Sequence, residues 1–265
     1  MNAEDIQSMI KKIFLVQFAL SLLGPMLGAG PVWSEDQKPT VSEAAKNIDP
    51  GRPKSKFFLR TEFKKSENGK ESTVVDPLFE FPVGDRWTIR LQTPMISSNP
   101  VSGTTDTGLG DITTRFTYKA FSAGGFTFFI GPEFKWNTAT DSTLGSNENQ
   151  ISPTIFAFKK ITEWNLFLFP ELNHFESLGS GTTSYTAFKP KAMKKLSDGY
   201  YLFFEPSIFV DHDANDQSTG TFELEYGRFV DPSLMVYGRP GGTLWGDNSA
   251  FSFNWNFEVG FRKFF

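Results

Sequence analysis

The chain has 265 residues, of which 30 are Phe, 6 Trp and 6 Tyr, yet only 39% of all residues are hydrophobic. Its net charge of -4 gives no basic footprint for nucleic acid. With no cysteine it also lacks a disulfide framework, a thiolate nucleophile and a thiolate metal site.

In chain order the first feature is "MIKKIFLVQFALSLLGPMLGAG". Lys11 and Lys12 precede an apolar run from Ile13 to Leu27, and small residues Val32 and Ser34 follow. Gly24 and Pro25 interrupt the run, which is short for a membrane span, so residues 1–34 read as a cleaved secretory signal. An uncleaved anchor helix is the competing reading. The acidic stretch before Met9 is out of character for a signal, which leaves Met1 and Met9 both open as the start. Residues 35–55 are polar, with Pro39, Pro50 and Pro53, and read as a flexible periplasmic lead-in with one helical turn near 41–47.

From residue 56 to the end the pattern has period two, which places alternate side chains on opposite faces of a strand. In "FTFFIGPEFKW", Phe126, Phe128, Ile130, Pro132, Phe134 and Trp136 share one face. Thr127, Phe129, Gly131, Glu133 and Lys135 share the other. About twelve such segments of roughly ten residues follow one another, the length of a tilted strand crossing a bilayer. Tight links are expected at 83–86, 122–125, 161–164, 196–199 and 230–233. Long polar links are expected at 65–72, 97–108, 137–150, 177–184, 211–220 and 241–249. Long and short links alternate throughout, as in an outer-membrane barrel with short periplasmic turns and longer outside loops. The fold class expected is therefore all-β: a transmembrane antiparallel up-and-down β-barrel of about twelve strands, spanning residues 56–265. A secreted two-sheet protein is the soluble alternative.

The last segment, "FSFNWNFEVGFRKFF", reads as one strand from 251 to 265 with its aromatic face toward lipid. It must close on the first strand, because every backbone polar group in lipid has to be paired. Its terminal Phe265 resembles the signal by which the barrel-assembly machinery recognises Gram-negative outer-membrane proteins. Pro77, Pro132, Pro153, Pro170, Pro190 and Pro206 lie at similar distances from the short turns. They read either as a ring of loosened pairing or as independent bulge positions.

At "FEFPVGDRWTIR", "TGLGDITTRFTYKAF", "GPEFKWNTATDSTLGSNENQISPTIFAFKK" and "ELNHFESLGSG" the chain resembles a bacterial family of outer-membrane transporters. That family is named for a suggested link to the meta pathway of phenol degradation. The pieces that carry the resemblance best are Gly108-Leu109-Gly110-Asp111, Phe81-Pro82-Val83-Gly84-Asp85, and Ala139-Thr140-Asp141 with Leu144-Gly145. The resemblance implies an outer-membrane barrel with a passage role and a pre-barrel segment at or in the periplasmic mouth, echoed here by "SEAAKN".

Strand phase assigns Arg60, Glu62, Arg90, Asp111, Arg115, Glu133 and Lys135 to the lumen. It assigns Glu171, Lys189, Lys191, Glu205, Glu223 and Glu258 there as well. Such mixed charges either order water and filter solutes in a pore, or pair across the lumen and plug it. A barrel of twelve strands lies between filled and wide-open sizes, so a narrow, partly obstructed lumen is expected. Asp111 reads as an inward group at a glycine bend, turned toward Arg115 or a neighbouring strand.

His174 faces outward by phase, where barrel lipases hold a catalytic His. Ser177 is out of phase with it, so no nucleophile is evident. His212 stands among Asp211, Asp213 and Asp216 without a calcium-loop spacing. The function expected is a passive channel for small, hydrophobic or aromatic molecules, not an enzyme, with no cofactor or metal. Its expected partners are outer-membrane lipid, the assembly machinery and small solutes. A lipid-modifying hydrolase using His174 and a closed structural barrel are the alternatives.

Overall fold

A computed structural model describes residues 48–246 and 249–265. The signal, the possible start residues and the helical turn near 41–47 lie outside them. Fourteen strand segments form one antiparallel sheet that closes on itself. In chain order they are β1 (Lys56–Lys65), β2 (Glu71–Val83), β3 (Trp87–Gln92), β4 (Met95–Asn99), β5 (Asp106–Leu109), β6 (Ile112–Ala123) and β7 (Phe126–Trp136). They continue as β8 (Asn149–Ile161), β9 (Leu166–Leu178), β10 (Ser184–Lys195), β11 (Tyr200–Asp211), β12 (Gln217–Asp231), β13 (Leu234–Trp245) and β14 (Trp255–Phe264).

The segments make twelve crossings. β3 and β4 both pair with β2 and form one strand broken at Thr93 and Pro94. β5 pairs with β4 and β6 with β3, so these two form the next strand, broken at Gly110 and Asp111. Closure is by β1, which pairs along its whole length with β2 on one side and β14 on the other, from Lys56↔Phe264 to Lys65↔Trp255. A closed barrel leaves no edge, so every strand finds a partner on both sides.

All five tight links fall where the pattern places them. The long links shift in three places: β4 and β5 extend into 97–108, β12 begins at Gln217 inside 211–220, and β13 runs on to Trp245. The long-loop end is the outer end and the short-turn end the periplasmic end of such a barrel. The outward face carries an apolar band in which Ile155, Leu172, Phe188, Phe204, Leu224 and Tyr226 stay exposed, with polar side chains such as His174 and Arg228 at its rims. Such a band on a monomer is too large to face water and fits acyl chains.

Prolines sit on this outward face, and Pro132 opposes Pro153 while Pro170 opposes Pro190. Cross-strand partners of β10 and β11 stop at Phe188↔Ile208 and resume at Ala192↔Phe204, which leaves Pro190 and Pro206 in the gap. Proline has no amide hydrogen to give the ladder, so pairing is interrupted there. The same gap recurs at Pro132 between β6 and β7 and at Pro153 and Pro170 between β8 and β9, while β7 and β8 keep partners through Pro132 and Pro153.

The inward face is not uniformly polar. At the short-turn end Phe129, Phe158, Phe167, Met193, Tyr201, Phe229, Met235, Tyr237 and Phe264 pack into one core inside the barrel. Ile48 packs against them. Gly227 makes room for this core: a Cβ there would lie 2.3 Å from the Tyr201 hydroxyl. Residues 48–55, expected within the lead-in, run along the same mouth, where Lys119 Nζ donates to the Gly51 carbonyl at 3.0 Å.

Candidate functional site

Above the apolar layer the lumen carries a belt of ion pairs. Arg115, on β6, donates to Glu133 at 2.5 Å on β7 and to Glu171 at 3.2 Å on β9, so one guanidinium spans four strands. Glu171 also accepts from Lys191 at 2.6 Å. On the opposite side Arg239 of β13 holds Glu205 of β11 at 3.0 Å and also Glu223 of β12. Arg262 and Glu225 pair at 2.6 Å. Near β1, Arg60 joins Asp76 at 2.6 Å and Glu258 at 3.4 Å, while Glu80 is shared by Lys56 at 2.6 Å and Arg90 at 2.8 Å. Tyr201 and Tyr237 add hydroxyl donors to Glu225 and Glu258, each at 2.7 Å. Charges taken from water are tolerable only when paired and hydrogen-bonded, which this belt achieves strand to strand.

Two members held less tightly are Lys189, 3.7 Å from Glu205, and Glu62, which accepts from the Asn256 side chain at 3.2 Å. Lys64 has no carboxylate within ion-pair range among the described residues; its ammonium sits 4.8 Å over the ring of Phe253.

Three cavities share walls along the lumen. The central one, about 420 Å³, is lined by Arg60, Glu62, Arg90, Arg115, Glu171, Lys189, Lys191, Glu205, Glu223 and Glu258, together with Lys64, Arg239 and aromatic side chains. An outer one of about 480 Å³ shares Arg60, Glu62 and Lys64 with it and adds Asp111 and Lys135. The periplasmic one, about 200 Å³, shares Arg90, Arg115, Glu171 and Lys191 and adds Ile48, Pro50, Pro53 and Phe129. Glu133 sits beside Arg115, its partner at the wall. The sequence reading missed Asp76 and Arg239. Asp76 shares the phase of Glu80, and Arg239 that of Met235, but flanking prolines and glycines disguise both segments.

Asp111 is placed differently from the expectation. Its carboxylate turns to the loop 137–148 instead of Arg115. It accepts from Ser146 N at 2.6 Å and Ser146 Oγ at 2.7 Å, and from the amides of Thr138 and Ala139 at 3.2 Å each. Lys135 stands 3.8 Å away. Burial pushes the Asp111 pKa up, but the Ser146 hydrogen bonds and Lys135 outweigh it and hold the carboxyl below its ordinary value. Gly108 is fitted against Thr140, whose Oγ1 would lie 2.0 Å from an added Cβ, and Leu144 is buried beside it. The Gly-Leu-Gly-Asp stretch and the Ala-Thr-Asp…Leu-Gly stretch are thus two halves of one clasp that folds the longest outer loop onto the rim.

A second difference concerns the last strand. β14 begins at Trp255, so 251–254 is not strand, and Phe251 and Phe253 do not face lipid. Ser252 N bonds Ser249 O at 3.3 Å and Phe253 N bonds Thr243 Oγ1 at 2.8 Å, which turns this segment inward. Phe251 stacks on inward Phe209 at 4.6 Å with an interplanar angle of 3°, and lies 4.7 Å from Tyr185. Phe175 stacks on the other neighbour, Tyr185, at 4.6 Å.

His174 lies on the outward side of the outer rim, as its phase requires. Its Nδ1 is 3.0 Å from Thr186 Oγ1, which is 2.9 Å from His212 Nε2, and His212 Nδ1 is 2.6 Å from Asp216. Glu176 is 3.2 Å from the other nitrogen of His174. Asp211 instead caps the amides of Asp213 and Ala214 at 3.1 and 3.3 Å, and among the described residues no group of three side chains is arranged to hold a metal ion.

No family model matches the chain, and no curated protein matches it. Solved structures do. The COG4313 outer membrane channel from Pseudomonas putida F1 aligns with a TM-score of 0.61 at 14% identity, covering 81% of this chain and 96% of that one. The NanC porin aligns at 0.58 with 8% identity, covering 79% and 99%. The KdgM porin, in complex with disordered oligogalacturonate, aligns at 0.53 with 11% identity, covering 79% and 99%. At these identities the likeness is one of fold, a closed antiparallel β-barrel of twelve crossings.

Proposed function

We propose that this protein is a passive channel of a Gram-negative outer membrane for small solutes with an aromatic or apolar part. The observation that carries this reading is the run of three cavities with common walls, from the outer rim to the short-turn mouth. A barrel whose ion pairs only filled it would leave no such run. The central cavity is lined by seven basic and five acidic side chains, so it carries a positive excess in a chain of net charge -4. A narrow low-dielectric lumen amplifies such an excess, which favours anions. Phe209, Phe251 and Phe253 supply the apolar wall. Planar-bilayer recording of the refolded protein tests the channel: stable openings with a reversal potential on the anion side are expected, and a silent bilayer with fully folded barrel refutes it.

A second reading rests on the Asp216–His212–Thr186–His174 chain. A hydroxyl between a carboxylate-backed imidazole and a second imidazole has the elements of an activated nucleophile, at the level of the outer headgroups. Release of fatty acid from phospholipid, lost in His212→Ala, supports a hydrolase. Intact phospholipid after prolonged incubation removes this reading.

A further inference from the structure

We infer that the central cavity is a binding site for a monocyclic aromatic monocarboxylate. The inference rests on the channel reading only in that solutes reach this cavity. Its volume, about 420 Å³, lies in the range of small-molecule sites and exceeds one substituted benzene ring.

Three features select the ligand. First, one wall is aromatic. Phe209 and Phe251 form a parallel stack, and Phe253 continues it toward Lys64. Flat rings gain from offset or edge contact with such a surface in a way that a saturated ring does not. Second, the cation nearest that wall is uncommitted. Arg115, Arg239 and Arg60 each hold two carboxylates. Lys64 meets only the Phe253 face, and Lys189 meets Glu205 at 3.7 Å. An ammonium already over an aromatic ring puts a carboxylate partner and a ring surface within one ligand's reach. Third, the excess of basic groups is small, and Glu62 faces the same cavity, where among the described residues the Asn256 amide donates to it at 3.2 Å. One carboxylate beside the aromatic wall pairs with Lys64, while a second on the same ring would stand against Glu62, with Lys189 already leaning on Glu205.

Isothermal titration calorimetry on the full refolded barrel in detergent, with benzoate as the probe, tests the site without requiring conduction. Benzoate is expected to bind more tightly than cyclohexanecarboxylate, benzyl alcohol or phthalate. Lys64→Gln and Phe209→Leu are each expected to weaken benzoate about fivefold, the size of one partly desolvated contact. Lys64→Arg and Phe209→Tyr, which keep the charge and the ring, are expected to retain it. That retention excludes a general loss of folding. Absence of benzoate binding overturns the inference, as does equal affinity for cyclohexanecarboxylate or an unchanged Lys64→Gln. A barrel that conducts ions yet binds no benzoate loses this site and keeps the channel. One that binds benzoate but never opens keeps the site and loses the channel.

Discussion

Replacing Glu225 tests whether the belt of charges holds the barrel in shape. Glu225 is fully buried on β12. Its two oxygens accept from Arg262 at 2.7 and 2.6 Å, and one also accepts the Tyr201 hydroxyl at 2.7 Å. Arg239 stands 4.0 Å away. Glu225→Leu fills much of the same space but strands one guanidinium and one hydroxyl between the apolar layer and the belt. Removing one partner of a buried pair costs about 3–5 kcal/mol, mostly the penalty on the charge left behind. Cavity water next to the belt relieves part of this, so the lower limit, about 3 kcal/mol, is expected. Glu225→Gln keeps an acceptor and loses the charge, at a cost of about 1–2 kcal/mol. Adding Arg262→Met to Glu225→Leu removes the stranded cation and should recover about 2 kcal/mol, a coupling that a double-mutant cycle isolates. Urea unfolding of the barrel in lipid vesicles reads the wild type, these three variants and Arg262→Met alone, which completes the cycle. A loss below about 1 kcal/mol for Glu225→Leu, or no recovery in the double variant, refutes the claim that this pair fastens β12 to β14.

Other outcomes follow from the same geometry. Phe204→Arg, on the outward band, should cost about 2–4 kcal/mol in vesicles, whereas Ser207→Arg, facing the central cavity, should mainly alter ion preference; equal costs would invert the assigned faces. Lys189→Glu should move the reversal potential in a salt gradient toward cations, and an unmoved potential in a conducting protein would take Lys189 off the ion path. The outer-loop clasp should weaken in acid. Asp111 is held below its ordinary pKa, and Glu148 is pushed up by burial but brought down to about 2 by hydrogen bonds, first from Ser177 and Thr183. Groups lowered in the folded state contribute stability that is present above the free-carboxyl value, about pH 4, and is lost as pH falls through the folded value. Pepsin cleavage within 137–148 should therefore rise between about pH 4 and pH 2, and constant protection down to pH 2 would refute the clasp.

The barrel was legible because strand and link lengths repeat. Alternation from Phe126 to Trp136 marks one crossing, and Gly or Asp marks four of the five tight links, the exception being 161–164. Charged residues at inward phase were legible for the same reason, since Glu171, Lys189 and Lys191 alternate with apolar neighbours. What period two does not reveal is height. Phe129 and Glu133 share a phase, yet Phe129 lies in the apolar layer and Glu133 in the charge belt. Nor does periodicity show where a strand stops. Phe251, Phe253 and Trp255 continue one alternation, but only Trp255 is in β14, because Ser249 and Thr243 capture the backbone before it. Asp111 misleads for a related reason: its partners lie 27 to 35 residues away in a loop whose course the local pattern does not encode.

Height is also what orders the lumen for passage. Twelve strands enclose more space than eight, which side chains fill, and less than the sixteen of an open porin, so the interior must be filled unevenly to leave any path. Here filling is tightest at the short-turn end, where Phe129 and Ile48 line the smallest of the three cavities. It is loosest in the outer half, where cavities of about 420 and 480 Å³ meet at Arg60, Glu62 and Lys64. On the channel reading, a solute entering from outside meets room and a weak positive field first, then a narrower cavity in which Phe129, Phe156 and Phe169 stand beside Arg90, Arg115 and Lys191. Charge helps down to the level of Arg115 and Lys191, and beyond them the apolar core returns none of the solvation that an ion gives up. A ring bearing one carboxylate is suited to both parts, with its charge satisfied in the wide half and its apolar face in the narrow one. A fully hydrated ion is suited only to the first. On the channel reading proposed above, the order of the two layers, more than the net charge of either, sets which solutes cross.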